Sequence, residues 1–163
     1  MSNSTWTVGE QATANTAVVR RLMNEGFNRG NLDVCDELFS PDAVEHQRGN
    51  ASGAGGIKAV IRALRGWFSD LRLDIEDIVA HEDMVWFRNR ATGTNDGPFM
   101  GFPPTHRKID ITVIDIVRIK DGRIVEHWGV PDQLGALVQL GLFGPTATVP
   151  QGPADSPDQG VAR

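Results

Sequence analysis

The sequence predicts an α+β fold: a cone-shaped, curved antiparallel sheet with three N-terminal helices on its concave face and a short C-terminal helix. Three observations lead there. Apolar residues first recur at helical spacing, then alternate along paired strand-like runs, and the helical runs are grouped ahead of the strands. A curved sheet crossed by helices leaves a cavity between its layers, where ligands commonly bind.

Residues 1–10 read as a flexible polar lead, 11–143 as a single domain. Within residues 10–28, Val19, Met23 and Phe27 recur at four-residue spacing with Val18 and Leu22 beside them, the stripe of a core-facing helix. Arg29-Gly30-Asn31 ends it, with Gly30 placed for the left-handed turn after a helix. A second helix is expected over 32–39, stopping before Pro41, then a brief extended piece over 42–46. The glycine-rich run 49–56 lacks the Gly-Lys-Ser/Thr ending of a phosphate loop, since Ile57 follows Gly56, and reads as the lead into a helix. In that helix Ile57, Val60, Ile61, Leu64, Trp67 and Phe68 make one broad apolar face.

The strands follow. Leu71, Leu73 and Ile75 alternate with Arg72, Asp74 and Glu76; the phase then moves to Ile78 and Ala80, as a bulge near Glu76–Asp77 produces. His81-Glu82-Asp83 turns the chain into a strand over 84–94, where Trp86, Arg88 and Arg90 oppose Val85, Phe87 and Asn89. After a proline-bearing loop, residues 108–119 are apolar on both faces, so both sides are expected to be covered. Lys120-Asp121-Gly122 forms a hairpin turn into a strand over 123–130, and 132–141 close as a helix.

Two registers are open at that hairpin. A three-residue loop bulged at Gly122 pairs Ile119 with Arg123. Ile116 and Arg118 then share a face with Glu126, Trp128, Val130 and, if the strand extends, Asp132, and Arg118 pairs with Glu126. A two-residue turn instead brings Asp115 and Trp128 onto that face. Residues 144–163, rich in proline and without periodicity, read as a disordered tail.

Composition narrows the function. The 163 residues carry a net charge of −5 and no basic run, which argues against a nucleic-acid partner. No apolar stretch is long enough for a membrane span, and no signal peptide is visible at the start, so a cytoplasmic protein is expected. The single cysteine, Cys35, excludes an internal disulfide and reads as a small buried side chain. Histidines at 46, 81, 106 and 127 show no ligand spacing, so no metal is expected. Tyrosine is absent, which removes mechanisms that need a phenol.

The run Gly101-Phe102-Pro103-Pro104-Thr105-His106-Arg107-Lys108, continuing through Arg118-Ile119-Lys120-Asp121-Gly122-Arg123-Ile124-Val125-Glu126-His127-Trp128 to Asp132-Gln133-Leu134, resembles the SnoaL-like polyketide cyclases and ester cyclases of the nuclear-transport-factor-2-like fold. Phe39-Ser40-Pro41-Asp42-Ala43-Val44-Glu45-His46 fits the same family. The resemblance covers about residues 15–142. It implies ring closure by intramolecular aldol condensation on a small apolar oxygenated molecule, with no cofactor. It also implies an acid/base aspartate at Asp132 and a pocket polar group at His46, with Ile116 and Arg118 at substrate-contacting positions. Ile116 departs from the polar side chain the cyclases carry there.

Glu126, Trp128, Trp67 and Trp86 complete the candidate substrate-binding set. Each has a plainer reading: Asp132 as a helix cap, Arg118–Glu126 as a structural ion pair, the tryptophans as core. A competing epoxide hydrolase of the same fold would need Arg-x-Asp on one strand. Arg88-Asn89-Arg90 and Arg118-Ile119-Lys120 lack that aspartate. A non-catalytic ligand-binding or dimerisation domain is the other alternative. A homodimer through the outer sheet face is expected, because residues 108–119 bear more apolar surface than one helical layer covers.

Overall fold

The computed structural model describes residues 8–144. The expected lead and tail lie largely outside that range. Helix α1 (Val8–Arg21) continues without a break into a π-helical stretch, Leu22–Asn28, whose Leu22, Met23, Gly26 and Phe27 are buried. Helix α2 (Val34–Leu38) runs directly into strand β1 (Phe39–Glu45), and α3 spans Gly53–Trp67. Strands β2 (Arg72–His81), β3 (Met84–Thr94), β4 (Lys108–Lys120) and β5 (Arg123–Pro131) precede the short helix α4 (Gln133–Gln139).

The α+β class holds, but the cone is corrected. The five strands form one open sheet in the order β1-β5-β4-β3-β2, with β1 and β2 as its borders. It is also mixed: β2 to β5 run antiparallel in sequence, whereas β1 joins β5 in parallel, Glu45 opposite His127. The segment over 42–45 thus belongs to a strand of the sheet, with His46 just past its end. A parallel pairing between distant segments has no hairpin turn to announce it. Because β1 separates α2 from α3, the three helices are not one uninterrupted N-terminal group.

Two irregularities set which side chains face the helices. In β2 the register shifts between Ile75 and Asp77, leaving Glu76 as the extra residue where the change of phase placed a bulge. At the β4–β5 hairpin Lys120 pairs with Arg123, so the turn has two residues, Asp121 and Gly122, both with positive φ. The ladder then slips: Ile119 pairs with Ile124 and Arg118 with Glu126, leaving Val125 unpaired. The bulge lies within the strand and not in the turn, yet it puts Ile116, Arg118, Glu126 and Trp128 on one face as the three-residue loop would, with Arg118 now opposite Glu126 and Ile116 opposite Trp128.

Alternation does the rest. On β4, Ile109, Asp115, Val117 and Ile119 are buried, while Ile114 on the opposite face is exposed. The buried set meets Leu22, Met23 and Phe27 of the π stretch and Ile57 and Ile61 of α3 in one core. Along the outer face, Val79, Trp86, Ile114 and Val130 are largely uncovered.

Candidate active site

A cavity of about 410 Å³ lies between the sheet and the helices. Its walls are mostly apolar: Met23 and Phe27 from the π stretch, Leu64 and Trp67 from α3, Phe87 from β3, and Ile111 and Val113 from β4. Phe99, from the loop after β3, packs edge-on against Trp67 with ring centroids 5.0 Å apart. At one end the lining turns polar, with Asp115, His127, Gln47, Arg48 and Asn50.

The polar end is built by strand register. The parallel β1–β5 pair sets Glu45 opposite His127, and the antiparallel β4–β5 pair sets Asp115 opposite Gly129, two residues along from His127. The imidazole therefore lies between two carboxylates. Its Nδ1 is 2.8 Å from a Glu45 oxygen and its Nε2 is 3.2 Å from Asp115 Oδ1. Asn89, wholly buried on β3, donates from Nδ2 to the other oxygen of Asp115 at 2.8 Å. Asn89 Oδ1 is buried and has no partner among the described residues. A buried acceptor left unpaired typically costs about 1–3 kcal/mol, so the amide is held where it serves Asp115 despite a penalty.

These contacts settle the charge on His127. Burial alone would drive its proton off, but the hydrogen bonds and negative charges of Asp115 and Glu45 outweigh burial, and the pKa is pushed up to about 9. At neutral pH the imidazole is a cation flanked by two acidic side chains. Among the described residues no group of three or more His, Cys, Asp or Glu side chains is arranged to hold a metal ion.

The residues expected from sequence are split between the two faces. Trp67 lines the cavity. Asp132 does not: it is exposed at the N-terminus of α4, where its Oδ1 accepts from Gly135 N at 2.8 Å. The strand ends at Pro131, and the helix that follows turns this carboxylate onto its own backbone. His46, Arg118, Glu126, Trp128, Ile116 and Trp86 gather on the sheet face away from the cavity. There His46 stacks on Trp128 at 4.5 Å and is 3.0 Å from Glu126, while Arg118 bridges Glu126 and Asp83 at 2.8 Å each. Ile116 lies between Trp86 and Trp128 in the ladder. Ile116 and Arg118 do not line the cavity, whereas their neighbours Asp115 and Val117 do. Asp115, His127, Glu45 and Asn89 lie outside the set that the sequence suggests. The available signal was Asp115 itself, a carboxylate inside an apolar strand expected to be covered on both sides.

Comparison with known proteins agrees with this architecture. The family description "SnoaL-like polyketide cyclase" matches residues 17–140. The chain is 32% identical over 136 residues to aklanonic acid methyl ester cyclase DauD of Streptomyces sp. (strain C5), covering 79% of this chain and 83% of that one. It is 31% identical to the nogalonic acid methyl ester cyclase of Streptomyces nogalater, over 73% and 92% of the two chains. The crystal structure of IdmH from Streptomyces antibioticus superposes with a TM-score of 0.70 at 36% identity, covering 78% of this chain and 98% of that one. The chain belongs to the SnoaL-like polyketide cyclases.

Proposed function

We propose that this chain is a cyclase that closes a ring by intramolecular aldol condensation, using Asp115 as proton acceptor and donor beside the cationic His127. The observation that carries the reading is a largely buried Glu45–His127–Asp115 relay at the polar end of a mostly apolar cavity. The substrate class is a small apolar molecule bearing carbonyl oxygens. Support comes from the relatives, which include an aklanonic acid methyl ester cyclase and a nogalonic acid methyl ester cyclase.

The chemistry balances without an added reagent. Asp115 takes a proton from a carbon next to a carbonyl, and the resulting enolate carbon attacks a second carbonyl of the same molecule. One C–C bond forms, and the new alkoxide receives the proton back from Asp115. His127 contributes fixed positive charge next to the developing anion, in a site from which bulk water is largely excluded. Asn89 keeps the Asp115 carboxylate from rotating. The apolar walls fold a flexible chain so that its reacting carbons meet, which is where most of the acceleration is expected.

The test is Asp115→Asn, assayed with aklanonic acid methyl ester as first probe. The substitution keeps the shape and removes the base. Binding should change little while kcat falls about 10²–10⁴-fold, the usual worth of a general base. Wild-type turnover in this variant would refute the assignment. Binding with no turnover in either protein would identify a ligand-binding module instead.

A further inference from the structure

We propose that Gln47 and Gly129 form a hydrogen-bonding subsite for one carbonyl or hydroxyl oxygen of the ligand, beside Asp115. The inference rests on the cavity being the ligand site, and it assigns the group that orients the ligand there.

Gln47 lies in the loop between β1 and α3, and its backbone is anchored. Its N–H donates to Glu45 Oε1 at 2.7 Å, the carboxylate that also holds His127, and its carbonyl accepts from Asn50 N at 3.3 Å. Its side chain is different. It is half-buried and lines the cavity, yet its amide makes no hydrogen bond among the described residues. Unlike Asn89 Oδ1, the Gln47 amide is not cut off from solvent, so a ligand oxygen would replace water on a side chain that the protein leaves uncommitted.

Gly129 makes the space. A Cβ at that position would lie 2.2 Å from Gln47 Oε1 and 2.9 Å from Asp115 Oδ1. Gly129 is not among the glycines with positive φ, so the backbone does not require glycine there. A Cβ there would have to displace the end of the Gln47 side chain from its place beside Asp115. Gln47 also supplies what its neighbours lack. Both ring nitrogens of His127 are engaged, by Asp115 and by Glu45, so the imidazole has no donor left for a ligand. A primary amide offers both a donor and an acceptor, which suits a ketone as well as a hydroxyl. With Phe27, Trp67, Phe87 and Phe99 around the remainder, the subsite fits an oxygen on the rim of an aromatic or alicyclic ring.

The experiment compares 1-tetralone with tetralin, which differ by one carbonyl, using calorimetric titration of the full chain. In Gln47→Leu and in Gly129→Ala, tetralone affinity should fall about three- to tenfold, the range of a single net hydrogen bond. Tetralin affinity should change less than twofold, and the double variant should lose no more than either single one. A tetralone affinity unchanged in Gln47→Leu, or a fall shared equally by tetralin, overturns the subsite and leaves the cavity reading intact. Failure of both compounds to bind the wild type rejects the cavity reading and the subsite with it. Gln47→Leu alone decides the matter if Gly129→Ala does not fold.

Discussion

His127 keeps its proton in a setting that would ordinarily remove it, because Asp115 and Glu45 accept from both of its nitrogens. Its folded pKa of about 9 stands above the ordinary histidine value of 6.5, so the protonated form is bound more tightly by the folded chain than by the unfolded one. The resulting stability is complete below about pH 6.5 and is lost as pH rises through about 9, on the order of 3 kcal/mol in all. Denaturant titrations from pH 6 to 10 should show this decline, and His127→Gln should flatten it. A wild-type profile that is level across the window would contradict the charged relay. Cys35, by contrast, is buried and has its thiol pushed up by that burial, which suits a core side chain and not a nucleophile.

Helix α4 illustrates how an element can absorb a residue that sequence comparison offers to the chemistry. Asp132 caps it, and the side-chain amide of Gln139 straddles the backbone of Asp110, at 2.7 Å and 3.0 Å, to pin its far end to β4. Asp132→Ala should therefore cost about 1 kcal/mol of stability by chemical denaturation. Turnover at saturating substrate should stay within twofold; a collapse of kcat would return Asp132 to the catalytic set. The helices over 10–28 and 57–68, the bulge at Glu76 and the Arg118–Glu126 pair were legible because periodicity and charge are local signals. The β1–β5 pairing was not, since nothing in residues 39–45 names a partner more than eighty positions away. The candidate site was lost with it, because Glu45 reaches His127 only through that pairing. The remainder turned on which face of the sheet the helices cover, and residues 108–119, apolar on both sides, do not decide that.

At the scale of the molecule, the sheet has one face occupied by helices and one left to the surroundings. Trp86 is 50% exposed and Val130 69%, and the arginines near them are already paired within the chain, Arg88 with Glu76 and Asp77, Arg90 with Asp110, and Arg118 with Asp83 and Glu126. A face whose apolar side chains are uncovered and whose arginines are already paired suits another apolar surface, and a second copy of this chain provides one. Sedimentation at micromolar concentration should give about twice the 17.8 kDa of one chain, and Trp86→Asp should return it to the monomer. A wild-type monomer would refute the pairing. The same openness leaves β2 as a border strand, whose outer amides could recruit a strand from another molecule. Glu76, the extra residue, interrupts the even spacing such recruitment needs, and Arg72, Asp74 and Asp77 surround it with charge. The β2 edge is in this way a poor template for a further strand.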